Sequence, residues 1–221
     1  MPTPHRYLGR TRLIGIGLTV ALLVAMALNT KFLTPAELAA IGPVRFDAKQ
    51  TAAELFAKAQ TDLPGRTNEL SEVLPAIQSG PKAAAEKFEA ATPAEGTYVF
   101  PVTSTATVSE ASAANLRLKV EGLGEETPIL IPLSTAINGS VLRDAMGFKF
   151  ADAPGQTEYQ YVGDELKKLI QAELSSSLED PAALKGKKVT VVGVISVLDT
   201  GAPPPKAKPI NIQPLTVKAA S

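Results

Sequence analysis

Between Asn138 and Asp152 the chain reads NGSVLRDAMGFKFAD, its densest run of residue types that can do chemistry. Ser140 stands where a helix would begin, Arg143 follows one turn later, and Asp144 and Asp152 supply two carboxylates. One chemistry for such a turn–helix–turn is contact with an anion or a sugar. Backbone N–H groups at the helix start would meet the ligand, and the Arg143 guanidinium would donate to it as a fork. The other use is local. Arg143 and Asp144 pair or cap within the segment, while Leu142, Met146, Phe148 and Phe150 fill a core. The residue types favour this second use.

The rest of the chain offers little catalytic equipment. It has 221 residues, no Cys, and one His, His5, in the N-terminal tail. Thiolate chemistry, Cys-based zinc sites, Ser-His-Asp triads and histidine metal clusters are therefore excluded from the folded part. Catalysis would have to rest on carboxylates, Lys, Tyr or Ser-Lys pairs. Glycosidase chemistry needs two carboxylates opposed across a cleft, whereas Glu125-Glu126 and Glu179-Asp180 are adjacent and read as solvated loop charges. Asp164, Glu165, Lys167 and Lys168 read as the wet face of a helix. Lys185, Lys187 and Lys188 form a small basic cluster suited to solubility. Tyr98, Phe100, Tyr159 and Tyr161 could stack bases, but core packing suits them better. Lys+Arg and Asp+Glu are both 22, so the basic surplus that phosphate binding demands is absent. The expectation is a non-enzymatic accessory or binding protein with no cofactor and no metal, the alternative being an oligonucleotide-binding protein argued from an OB-like barrel shape alone.

Several elements would have to position these residues. Ala48 to Leu63 places Ala52, Leu55, Phe56, Ala59 and Leu63 on one helical stripe, with Asp47 as cap and Pro64-Gly65 as stop. A second stripe, Leu70, Val73, Leu74 and Ile77, is interrupted by Pro75. A third helix is expected from Pro81 to Ala91, with Pro at its first position, so residues 47–92 read as helical. A turn of helix is also expected at Ala36–Ala40.

Strand character begins at Gly96. Thr97 to Val108 alternates, with Tyr98, Phe100, Val102, Ala106 and Val108 on one face. Leu116, Leu118 and Val120 alternate with charged neighbours, and Ile129 to Leu133 lies between prolines, near an edge or bulge. Two helices follow. Ser140 would cap Val141 to Met146, with Gly147 as its stop, and Thr157 to Leu174 is longer. Lys187 to Leu198 is a strand with Gly193 at its middle, the mark of a bulge or sharp bend. Pro209 to Lys218 is the last strand, and its apolar phase shifts at Pro214. The class is α+β. The order fits a five-stranded OB-like antiparallel β-barrel with helices inserted between strands 3 and 4, or else an open sheet with helices on one face.

The N-terminus carries a different message. Leu13 to Thr30 holds no charge and, at roughly 1.5 Å per residue, spans about 27 Å, close to a bilayer core of about 30 Å. His5, Arg6, Arg10 and Arg12 precede it and Lys31 follows, which places the N-terminus in the cytoplasm and the remainder outside. Ala25-Met26-Ala27 matches a signal-peptidase site, with cleavage after Ala27. The apolar run continues past it into Leu28 without a polar break, which favours an uncleaved anchor. The domains expected are residues 1–34, tail and membrane helix; 35–95, linker and helical region; and 96–221, the barrel.

INGSVLRDAMGFKF, followed by Gln156-Thr-Glu-Tyr159, resembles the DUF2291 family of predicted periplasmic lipoproteins. GKKVTVVGVI at Gly186 to Ile195, the closing strand, and the passage from Asn29 to Pro35 are similar to it as well. The resemblance runs from about Leu28 onward. It implies an OB-like barrel, and an accessory role beside sugar ABC transporter subunits. It adds Gln156 to a candidate ligand-binding set of Ser140, Arg143 and Asp144. The chain departs from the family in two places. Thr30 stands before Lys31 where lipoprotein members carry the lipidated Cys. Ala153 and Gly155 stand near the positions of an aromatic-Asn pair. The reading is a single-pass inner-membrane protein with a periplasmic domain, with secretion after cleavage as the alternative.

Overall fold

A computed structural model of the chain describes residues 7–31, 33, 34, 37, 46–201 and 208–220. The chain divides into two units, residues 1–45 and 46–221. In the first, helix α1 spans Tyr7–Asn29. From Leu13 to Leu28 its large apolar side chains are exposed all round, so protein packing does not account for them. The stretch Arg12–Asn29 is long and apolar enough to cross a membrane. Polar side chains along it fold back on its own carbonyls. Thr19 Oγ1 donates to Gly15 O at 2.9 Å, Asn29 Nδ2 to Ala25 O at 2.9 Å and Thr30 Oγ1 to Met26 O at 2.6 Å. Such back-bonding hides polar groups from hydrocarbon. Glu37 is helical, while the rest of the expected turn at 36–40 lies outside the described residues.

The second unit opens with α2, Ala48–Asp62. Asp47 Oδ1 caps it, accepting from Lys49 N at 2.9 Å and Gln50 N at 3.0 Å. Ala52, Phe56, Ala59 and Leu63 are buried. A short 3-10 turn, Pro64–Arg66, ends it. Helix α3, Leu70–Ser79, runs through Pro75 instead of stopping there. A proline inside a helix costs about 3 kcal/mol. Burying Leu70, Val73, Leu74 and Ile77 contributes roughly 1.5–3 kcal/mol each, so packing decides.

Helix α4, Pro81–Lys87, is shorter than expected. Glu89 takes φ 51°, and the chain turns into strand β2, Ala91–Ala94. Pro93 fits the extended course of β2, because the residue before a proline, here Thr92, is pushed out of the helical region. Residues 47–92 are thus not wholly helical. Besides β2, they hold the two-residue strand β1, Asn68–Glu69.

The sheet is built on β3, Thr97–Ala111. Val99, Phe100, Pro101 and Val102 are all buried, so both faces of β3 are covered there. It is flanked by β4, Asn115–Lys119, and β6, Lys188–Leu198, and β5, Ile129–Pro132, pairs with β4. The closing segment contains β7, Ile210–Asn211, and β8, Gln213–Ala219. The strand order is β7-β5-β4-β3-β6-β8, with β1 and β2 both on β3. Only Ile212 separates β7 from β8. One run of chain therefore pairs with both flanks of the path, and the sheet curls.

Two expectations change here. The described sheet counts eight strands, because the last expected segment is divided into β7 and β8 and the short β1 and β2 are added on β3, and the pairs β1/β3 and β5/β7 are parallel. The short strands arise where neighbouring segments meet β3 in passing. The parallel pair arises because the last segment changes partner midway. Gly193 permits that change. The β6/β8 register shifts between Val192 and Gly193, the expected bulge. A Cβ at Gly193 would lie 2.5 Å from the Gln213 carbonyl oxygen and 2.7 Å from Ile212 Cγ2.

Helices α5, Gly139–Ala145, and α6, Gln156–Ser177, lie between β5 and β6 in the chain. They approach with backbone in contact. A Cβ on Gly139 would sit 2.1 Å from Gly163 O. On α6, Val162, Leu166, Ile170 and Leu174 are buried.

Gly193→Val is expected to destabilise the fold by about 1–3 kcal/mol through overpacking. Gly65→Ala, with nothing within 4 Å of the new carbon, should stay within about 0.5 kcal/mol of the parent. Thermal unfolding followed by circular dichroism reads both.

Candidate functional site

The helix start expected at Ser140 belongs to Asn138. Its side chain accepts from Ser140 N at 3.0 Å, and its own N–H donates to Gln213 Oε1 at 2.7 Å. Ser140 sits inside α5, with its hydroxyl against Gly163. Both types cap well. The close approach of Gly139 to α6 decides which of the two stays outside the helix.

Arg143 is 6% exposed, and its fork is occupied. Nε and Nη2 both donate to Asp144 Oδ1, at 2.9 and 2.8 Å. Nη1 donates to the Tyr159 carbonyl at 2.9 Å. The guanidinium carbon lies 3.5 Å from the Tyr159 ring centroid, a desolvated cation–π contact worth about 2 kcal/mol. Tyr159 Oη donates to the same Asp144 oxygen at 3.2 Å. Burial pushes the Tyr159 phenol pKa up, and the Asp144 carboxylate adds to the rise while Arg143 opposes it.

The structure therefore gathers Arg143, Asp144 and Tyr159, and leaves Ser140 and Gln156 outside. Gln156 is exposed at the start of α6. The trio pins the last turn of α5 to the first turn of α6 and presents no open fork to an anion. Phe148 stacks on Tyr159 at 6.1 Å, and Phe46 lies 6.4 Å from Phe148. Phe150, expected in the core, is 57% exposed and meets Tyr159 edge-on.

The remaining clusters resolve locally. Glu125 pairs with Lys119, and Asp180 caps the turn Pro181–Leu184. Glu165 pairs with Lys168, and Lys167 Nζ donates to Thr135 O at 2.8 Å. Lys185, Lys187 and Lys188 are exposed. Tyr98 and Phe100 lie on β3 and Tyr159 and Tyr161 on α6, and Phe100 is buried. No ring contact between the two pairs occurs among the described residues.

An opening with an apolar floor lies elsewhere. A cleft of about 370 Å³ opens between α3, the C-terminal end of β6 and β7. That falls at the small end of ligand pockets. Leu74, Ile77, Ile195 and Val197 give it an apolar floor, with Gln78, Thr127, Ser196 and Asn211 among its polar groups. Lys208 is the one charged side chain among the described residues lining it. A second cavity, of about 280 Å³ beside β4, is lined by Glu110, Arg117, Lys119 and Glu125, whose charges already pair with one another. The cleft residues come from segments far apart in the chain and escaped the sequence reading. The signal available was the pairing of Gly193 with the phase break at Pro214, which marks where the last strand leaves β6.

The model of a family described as predicted periplasmic lipoprotein (DUF2291) matches residues 18–218. The crystal structure of an OB-fold protein from Thermotoga maritima MSB8 superposes with a TM-score of 0.66 at 21% identity, covering 80% of this chain and 100% of that one. At that identity the likeness concerns fold alone, and it agrees with the α+β class and curled sheet. No curated protein matches.

Arg143→Met would leave the Asp144 carboxylate enclosed without its cation, and is expected to cost about 2–4 kcal/mol in urea denaturation. Arg143→Lys, which keeps the charge and loses the fork, should fall between. A second expectation concerns alkali. The Tyr159 proton is held more tightly in the folded chain than in the unfolded one, where tyrosine titrates near about 10. Its contribution is complete below that pH and is lost as pH rises through the higher folded value. Stability should fall above about pH 10, and less steeply in Tyr159→Phe, as denaturation series across that range will read.

Proposed function

The chain belongs to the DUF2291 family of predicted periplasmic lipoproteins, and from that premise we propose that it is a non-enzymatic accessory domain. Helix α1 tethers it at the periplasmic face of the inner membrane. In this reading it works by binding, beside transport subunits of the sugar ABC class that the family resemblance implies.

One observation carries the tether. Lipoproteins are held by acyl chains on a Cys near the start of the mature protein, and none of the 221 residues is Cys. Thr30 stands at the expected place, and its hydroxyl is bonded to Met26 O. The apolar surface of α1 supplies an alternative anchor of the right length, and the positive residues before it orient the domain outward. We read the curled sheet as a five-stranded OB-like barrel of β3, β4, β5, β6 and the β7–β8 segment, with α5 and α6 inserted between the third and fourth. The non-enzymatic reading draws on the mutual pairing of Arg143, Asp144 and Tyr159, and on there being a single charged side chain among the described residues that line the cleft.

The test is the mass of the product in fractionated cells. The membrane fraction should yield a species of 23.1 kDa that resists alkaline carbonate extraction. A soluble periplasmic species lacking residues 1–27 would overturn the tether.

A further inference from the structure

We infer that the cleft takes an extended peptide, added as a strand to the open edge of β6 at Ser196 and Leu198; this deepens, and rests on, the reading of the domain as a binding accessory.

The argument is one of hydrogen-bond parity. In an antiparallel ladder, alternate residues exchange bonds with one neighbour and the residues between face the other. Val108 N donates to Lys187 O at 2.9 Å, and the β3/β6 register continues unbroken from Thr107↔Lys188 to Thr97↔Leu198. The odd-numbered residues of β6 therefore bond to β3. Pro101 agrees, because it has no N–H and stands opposite even-numbered Val194. The even-numbered residues face away from β3. Ala220 N donates to Lys188 O at 2.9 Å, and Thr190, Val192 and Val194 stand opposite β8 residues.

That pairing stops at Val194↔Gln213. Beyond it the chain crosses to β5, where Ile210 N and Ile212 N donate to Pro128 O and Leu130 O at 2.8 and 2.9 Å. The outward N–H and C=O of Ser196 and Leu198 meet no strand among the described residues. On the facing wall, Asn211 lies between the two β7 donors, so its own backbone groups point away from β5.

Ser196 and Leu198 are two residues apart, about 6.6 Å along a strand, which is the repeat of any extended peptide. Strand addition of this kind draws affinity from main-chain bonds and selectivity from pockets under alternate side chains. The apolar floor supplies such pockets. Folded proteins blunt an open edge with charge, proline or a bulge, yet Leu198 is 64% exposed on this one. Lys208, alone in charge among the described lining residues, selects an acidic flank. The occupant is therefore an extended segment of a partner protein, aliphatic at alternate positions and acidic at one end.

The test uses the full chain in detergent and a phage-displayed library of nine-residue peptides of that pattern, with scrambled-sequence controls. A selected peptide should lose at least tenfold in affinity to Ser196→Pro. That substitution removes an outward donor and leaves the β3 bonds intact. Ser196→Ala should bind as the parent does. N-methylating an alternate peptide amide should cost a similar factor, and it reads the same bonding from the ligand side if Ser196→Pro does not fold. Enrichment no better than the scrambled controls overturns the inference, as does unchanged binding by a folded Ser196→Pro or by the N-methylated peptides. Transport subunits that co-purify equally with parent and Ser196→Pro overturn the peptide strand while the accessory reading stands. A truncated soluble product with peptide binding intact overturns the tether while supporting the strand.

Discussion

The segment from Ile210 to Ala219 pairs with two different strands, and the curl of the sheet follows from that divided pairing. Its first residues run parallel to β5 and its last run antiparallel to β6. A strand can do this only if it can leave one neighbour sharply and without steric cost. Gly193 removes the side chain that would strike Gln213 and Ile212. Pro214 stands opposite Gly193 at the same point and has no N–H with which to continue a ladder. With either residue changed, the segment would tend to continue along β6, and the parallel contact with β5 would have to be made by something else.

The consequences extend to α5. Gln213, at the start of β8, accepts the Asn138 N–H through its side chain. The point where the last strand changes partner is thus also where the helix start is held. Asn138 then caps α5, Gly139 admits the backbone of α6, and Arg143 comes to lie over Tyr159. A charge and a ring brought together by this chain of contacts are part of the packing. The guanidinium that looked most able to grip a ligand is turned inward, and the divided strand leaves an opening at the far end of β6. A sheet that parts from its neighbour before the neighbour ends exposes main-chain groups, and those are more general recognition elements than any single side chain.

Helix α1 follows a separate logic. Its composition decides its fate without help from the rest of the chain, because a helix apolar on every side has no wet face to present to water. The sequence has no Cys, and Arg12–Asn29 is a candidate membrane span by length and composition.

Elements governed by local physics were legible in the residues. The stripe of α2 and its Asp47 cap, the long α6, the alternation of β4, and the bulge at Gly193 follow from the periods of 3.6 and 2 and from backbone sterics. The candidate site was legible only in part. Arg143 and Asp144 were rightly seen as a local pair, but Tyr159, which completes it, lies fifteen residues beyond Asp144. Tertiary packing alone decided that α3 should run through Pro75, that Asn138 should displace Ser140 as the cap, and that the last segment should divide between two strands. In each case a local preference competed with burial or with a bond to a residue far along the chain, as with the 75 positions between Asn138 and Gln213. A sequence displays the preferences of neighbours, whereas the winner of such a contest depends on which distant surfaces meet.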